Sequence, residues 1–331
     1  MSLLVFGSAN KIAQGVIRRL YASGNYEKII CADVFPNYGS LQRFVDFQSE
    51  LTQTSSNTQI EDIKIQERSD LKSAINRASH VLYITHDYYS LVPSKINLIK
   101  TVAEIAKSSK NVEKLVALTP IEHDHYDEPT PALTARKSEE EVIEIFPDLV
   151  HLKSDITFGQ DSTVVSALTS RIVNNQNIVF EPRTFNEQTS PIYTEDLARI
   201  VESTLKNNKF KGKAYAIQGP DTLTLGELLS TIQKHTGNAI KLNEDPIERA
   251  IPPYNPNLLS QWLYDPAYIN LTAFLREYKT LEKSGLSDMK DFKFKLKSIE
   301  TIYSPDTVNA ELYKEEKLSR AEGIIKKFLY F

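Results

Sequence analysis

Residues 3–20, LLVFGSANKIAQGVIRRL, have the outline of a strand, a tight turn and a helix of the kind that cradles a dinucleotide phosphate. That chemistry needs three small positions: one for the turn, one where backbone approaches the pyrophosphate, one where helix packs on strand. Gly7 meets the first, and Ala13 is acceptable at the third. Asn10 stands at the second, where a side chain crowds the phosphate, although Asn tolerates a left-handed backbone. The turn's candidate contacts are Gly7, Ser8, Asn10, Lys11 and Ile12. Asp33, closing the next strand, could accept hydrogen bonds from a ribose 2′-hydroxyl. The same carboxylate repels a 2′-phosphate, so a bound nucleotide would be NAD(H) rather than NADP(H).

Glycine usage argues against tight binding. The chain holds 11 glycines and none between Gly39 and Gly159, the span in which the later strands of such a domain meet the cofactor. A second cluster of chemistry-bearing residues is His123, Asp124, His125, Asp127 and Glu128. No further Cys or His lies at ligand spacing, so a solvated loop is expected there and no metal.

These residues need a scaffold, and 331 residues suffice for a large α/β domain with a smaller lobe. A formal charge of −4 gives no case for nucleic acid, and one cysteine, Cys31, excludes an internal disulfide framework. No apolar run reaches the ~18–20 residues of a spanning helix. With a strand beginning at Leu3, no targeting presequence is visible. Strands are expected at 2–6, 28–34, 60–66, 80–87 and 111–120, with helices at 12–21, 97–108 and from Ser69 as cap to Ala78. A loop is expected at 49–59, a helix at 137–145, and a strand leaving the sheet at 148–159. Beyond it, SPIYTEDLARIVESTLK predicts a short strand and a helix capped by Thr194. KAYAIQGPDTLTLGELLSTIQKHTG predicts a strand and a helix from Thr224 to Gly237. KDFKFKLK (290–297) reads as an edge strand burying Phe292, Phe294 and Leu296 and showing lysines, with a membrane-surface contact as the alternative. The aromatic, Pro-rich stretch 251–278 reads equally as docking surface or internal packing. The fold class expected is α/β: a Rossmann-like doubly wound parallel sheet with a smaller interwoven C-terminal lobe. The division falls at 1–160 and 161–331, with the first part borrowing a strand and helix from about 190–220.

Several phrases resemble the atypical, extended short-chain dehydrogenase/reductase superfamily: VFGSANKIAQ, NVEKLVALTP, ARKSEEEVIEIFPDLVHLKSDITFGQDS, SPIYTEDLARIV and GKAYAIQGPDTLTLGELL. Within it they are similar to the dehydrogenase-like accessory subunits of mitochondrial respiratory complex I (NADH:ubiquinone oxidoreductase), over residues 3–240 and more thinly over 270–300. The resemblance implies a Tyr-x-x-x-Lys pair in which lysine lowers the tyrosine pKa for proton exchange with a carbonyl, beside an orienting hydroxyl. Lys137 matches the lysine and Thr119 the hydroxyl, whereas the tyrosine position is Leu133, which has no exchangeable proton. Tyr126 stands eleven residues from Lys137, and a second Tyr-x-x-x-Lys, Tyr313 and Lys317, reads as a solvated helix face. Lys64 occupies the usual acid-bearing turn, with Asp62 a strand step earlier. Thr85, His86 and Asp87 replace the usual glycine after the fourth strand. Thr85 and Lys137 thereby join Gly7 to Ile12 and Asp33 as candidate nucleotide contacts.

The resemblance implies a non-catalytic accessory subunit, partnered by other subunits of a large respiratory-chain complex. It would sit on the matrix side of the mitochondrial inner membrane with a possible membrane-surface contact, and would bind no nucleic acid. No cofactor is expected; one held structurally would be NAD(H) or NADP(H), with Asp33 favouring NAD(H). The alternative is a soluble, cytoplasmic reductase or NAD(H)-sensing regulator of the NmrA-like kind.

Overall fold

The apolar runs become parallel strands: β1 (Ser2–Phe6), β2 (Lys28–Asp33), β3 (Gln59–Lys64), β4 (His80–Ile84), β5 (Lys114–Pro120) and β6 (Val150–Ser154). The computed structural model describes residues 1–33, 38–53, 56–84, 93–120, 141–162, 164–175, 177–180, 185–244, 286–287 and 289–303. After β6 come β7 (Thr157–Phe158), β8 (Asn177–Phe180), β9 (Gln188–Thr189), β10 (Ile192–Tyr193), β11 (Ala214–Ile217), β12 (Leu223–Thr224) and β13 (Lys241–Glu244). Seven strands form one sheet in the order β11-β6-β5-β4-β1-β2-β3, every neighbouring pair parallel. Three two-stranded pairs, β7 with β10, β9 with β12 and β8 with β13, lie outside it.

Helices cover both faces, which is why the inner strands are apolar throughout rather than alternating. Leu3 and Val5 meet α1 (Lys11–Ser23) on one face, while Leu4 and Phe6 face the other way, towards the layer of α3 (Arg68–Asn76) and α4 (Pro93–Ser108). Ile12, Val16 and Leu20 give α1 an inward stripe that packs beside α7 (Thr194–Lys206) and its Leu197, Ile200 and Val201. Arg19 staples the two helices, donating to Glu195 at 2.5 Å and Glu202 at 2.6 Å. The buried Lys114 ammonium caps the far end of α7, donating to the carbonyls of Thr204 at 3.2 Å and Leu205 at 2.9 Å. A further core joins α6 (Val164–Val173) and α8 (Leu225–Thr236) through Leu168, Leu228 and Ile232, with Tyr303 beneath them. A short helix, α5, lies at 141–145.

Four local readings change. The expected loop at 49–59 begins with the end of α2 (Tyr38–Thr52), held down by Phe44, Phe47 and Leu51 on one helical face. The start of α3 is capped from within: Asp70 accepts from the N–H groups of Gln66 and Glu67, both at 3.0 Å, so Glu67 and not Ser69 is the N-cap. Tyr193 rather than Thr194 is the N-cap of α7. Asn10, whose type tolerates a left-handed backbone, has φ −70° and ψ 140°. Residues 290–297 form no edge strand, because a 3₁₀ turn at Met289–Asp291 leads into bent chain, where Phe294 N–H donates to Phe292 O at 3.0 Å, without a ladder partner. The alternation survives all the same: Phe292, Phe294 and Leu296 pack on the core while Lys293 and Lys295 are exposed.

Candidate functional site

Parallel sheets of this order bind ligands outside the carboxyl ends of their strands, where the strand order reverses beside β1. Gly7 follows β1 there with φ +87°, and its N–H donates to Ala32 O at 3.0 Å. A Cβ on Gly7 would lie 2.1 Å from the carbonyl oxygen of Ile84, so no other residue fits. Ala13, fully buried, lets α1 settle on the sheet. Gly7, Ser8, Asn10, Lys11 and Ile12 are thus brought together at the start of α1, with Asp33 beside them at the end of β2.

The turn uses its donors internally. Asn10 is the N-cap of α1 and its Oδ1 accepts from Ile12 N–H at 2.8 Å. Asp33 is buried and accepts from Ala9 N–H at 2.8 Å. Ser8 N–H points to Ala32 O at 3.4 Å and Asn10 N–H to Gly7 O at 3.1 Å. Five N–H groups that could face a phosphate, those of Gly7, Ser8, Ala9, Asn10 and Ile12, therefore already have protein acceptors. The Ile12 side chain lies in the core, and Lys11 is half-exposed. One group runs the other way: Ser8 Oγ is buried with no hydrogen-bond partner. A dinucleotide therefore fits the backbone shape of this turn and fits its donor set poorly.

Two strands away, Thr119 at the end of β5 is buried and its Oγ1 lies 2.8 Å from His151 Nε2 on β6. Sequence reading missed this pair, and a histidine inside the otherwise apolar VHL run was its one local signal. It also missed Asp155, fully buried, which accepts from Thr189 Oγ1 and Ser190 N–H at 2.8 Å each and from Gln218 Nε2 at 3.4 Å. Asp155 so ties the exit of β6 to the loops around β9 and β11. Thr85, His86, Asp87, Tyr126, Leu133, Lys137, the 123–128 cluster, the 251–278 stretch, Tyr313 and Lys317 lie outside the described residues. Among the described residues no group of three His, Cys, Asp or Glu side chains is placed to hold a metal. A groove of about 410 Å³ opens between α1 and the start of α7, lined by Arg18, Arg19, Asp161 and Tyr193 among others, and it does not reach the Gly7 turn.

No protein-family profile matches the chain. Among solved structures it is similar to UDP-glucuronic acid 4-epimerase from Bacillus cereus, in complex with UDP-glucuronic acid and NAD. The TM-score is 0.66 at 14% identity, covering 96% of this chain and 100% of that one. An epimerase from Methanothermobacter thermautotrophicus gives 0.65 at 15% identity, covering 97% and 94%. The NAD complex of dTDP-glucose 4,6-dehydratase from Bacillus anthracis gives 0.63 at 14%, covering 95% and 97%. Among curated proteins the chain is 25% identical over 213 residues to NADH dehydrogenase (ubiquinone) 1 alpha subcomplex subunit 9, mitochondrial, of Dictyostelium discoideum. The chain has the Rossmann-like α/β fold of these epimerase and dehydratase neighbours and is similar to that complex I subunit. The match takes in 62% of this chain and 58% of the length of its curated relative. Among the described residues no helix is long and apolar enough to cross a membrane.

Proposed function

We propose that the protein is a non-catalytic accessory subunit of mitochondrial complex I, a dehydrogenase fold retained as a structural brace on the matrix arm near the membrane. The observation that carries this reading is the Gly7 turn, which keeps its shape while its N–H groups serve Ala32, Asp33, Gly7 O and Asn10. The similarity to the Dictyostelium discoideum subunit supports the assembly. Leu133 in the tyrosine position supports the loss of chemistry, since Lys137 would have no phenol to activate. The partners are then neighbouring subunits, and the place is the matrix side of the inner membrane. Complexome profiling of mitochondria tests this: the chain should migrate with complex I, and migration only as a free monomer removes the proposal.

A second reading rests on the unpartnered Ser8 hydroxyl at the same turn. In it the chain is a soluble atypical reductase or NAD(H) sensor whose nucleotide diphosphate would meet that hydroxyl. Thermal-shift titration with the four nicotinamide nucleotides separates the two. A shift with NAD(H) favours the second reading, and no shift with any nucleotide removes it.

A further inference from the structure

Residues 289–303 cross from one core of the molecule to the other. Near their start Phe292 is buried in the core shared by α1 and α7, stacked on Phe210 with ring centroids 4.8 Å apart and edge-on to Tyr215 at 5.2 Å. At their end Ile299 and Tyr303 are buried in the core of α6 and α8, where the Tyr303 hydroxyl meets Thr169 Oγ1 and its ring meets His235. A segment anchored at both ends would be expected to join a sheet, and this one does not. Among the described residues its backbone–backbone hydrogen bonds are all internal: Phe292 to Met289, Phe294 to Phe292, and Thr301, Ile302 and Tyr303 to Ser298 or Ile299. Where it crosses, two N–H groups go to carboxylates from outside. Lys297 N–H donates to Asp196 Oδ2 at 2.7 Å, in the first turn of α7, and Ile299 N–H to Asp221 Oδ2 at 2.9 Å, in the connection between β11 and β12. Asp196 is fully buried, and Arg199 Nη1 holds its other oxygen at 3.1 Å. Asp291 accepts from Tyr215 O–H at 2.6 Å, and Arg199 lies 4.3 Å from the centroid of the Phe294 ring.

Chain attached in this way can leave without taking its surroundings with it. Local opening is easiest where few backbone bonds tie a segment to the rest of the fold. Releasing residues 289–303 breaks no rung of the seven-stranded sheet and no hydrogen bond within the α7 backbone. It does free Tyr193, because Lys297 Nζ lies 4.9 Å from the centroid of that ring, and Tyr193 lines the groove between α1 and α7. We propose that residues 289–303 are a clasp that opens as a unit while the sheet stays folded. Closed, it locks the α6 and α8 core to α7; open, it releases Tyr193 at the groove. Asp196 and Asp221 are its latches. The clasp is a property of the chain itself and holds under either reading of the function.

Hydrogen–deuterium exchange of the full chain in increasing urea, resolved to single amides, tests it. The Lys297 and Ile299 amides should exchange through an opening whose urea dependence is at most about half that of the β1 and β4 amides, because only part of the buried surface is exposed. D221A removes the latch on Ile299 and should speed exchange at Phe294 and Lys297 as much as at Ile299. Dilute trypsin reads the same opening, since cleavage after the exposed Lys293 and Lys295 needs the chain around them to be freed. D221A should raise the rate of those two cuts, identified by fragment mass, at least about tenfold, which is the worth of a hydrogen bond to a charged acceptor. D221N, which keeps an acceptor oxygen, should fall between D221A and the parent. Matching far-UV circular dichroism shows that the variants are folded, and the exchange of the parent decides the matter without them. Equal urea dependence in the clasp and in β1 and β4, a D221A effect confined to residues 299–303, or equal trypsin rates in the parent and D221A would each overturn the proposal.

Discussion

Thr119 Oγ1 and His151 Nε2 lie 2.8 Å apart across the β5–β6 pair, and both side chains are buried. The hydroxyl that the family resemblance assigns to orienting a carbonyl is bonded to the neighbouring strand. Removing one member of a buried pair leaves the other to bear its desolvation cost. T119V should therefore destabilise the protein by about 1–3 kcal/mol in urea unfolding. A T119V protein as stable as its parent would show that the contact carries no weight.

Gly7 is held by two independent constraints, a positive φ and the Ile84 carbonyl. Left-handed backbone alone costs an alanine roughly 1–2 kcal/mol, and the clash adds to it. G7A should lose more than about 2 kcal/mol and yield little soluble protein. Expression with an unchanged denaturation midpoint would contradict the geometry of the turn.

Asn10 separates stability from ligand capacity. N10A should cost about 1 kcal/mol through loss of the cap, whereas N10G should cost only a few tenths. N10G also releases the Ile12 N–H, so it should strengthen any NAD(H)-induced thermal shift above that of the parent. If the asparagine merely caps the helix and its side chain obstructs nothing, the two proteins will respond to NAD(H) alike.

His80, buried beside the Tyr26 hydroxyl at 2.8 Å, gives the molecule a pH dependence. Burial, and then the Lys114 ammonium, hold its imidazole below the usual 6.5. The native state thus binds this proton less readily than the unfolded chain. The associated stability is full above pH 6.5 and is lost as pH falls from there through the lower folded value. Urea midpoints measured across this range should decline less steeply in H80N than in the parent. Parallel slopes would assign the decline to other groups.

What could be read in advance was local. Thr224 announced the start of α8 and Gly237 its end; the structure adds a capping box between Thr224 and Glu227, and Gly237 closes the helix in the left-handed region. Gly7 likewise declared its turn, and the apolar runs declared a parallel sheet. The misreadings have a common cause. The α3 cap depends on Asp70 reaching back to Gln66 and Glu67, and α2 depends on three apolar side chains finding the sheet. The alternation at 290–297 was legible, but whether a neighbouring strand would accept its hydrogen bonds was not. In the candidate site, Gly7 and Asp33 were identifiable by type. That Asp33 would bind Ala9, and Thr119 would bind His151, depends on register between strands.

The place of β11 sets a condition on how this chain is made. Its residues 214–217 complete the sheet beside β6, which ends at Ser154. Until that late strand arrives, the growing polypeptide shows a bare edge carrying Val150 and Leu152, open to pairing with any other extended chain. A product cleaved before Ala214 keeps that edge for good. Proteolytic fragments of the N-terminal part should therefore aggregate, and biosynthesis of the intact protein calls for protection until β11 is in place.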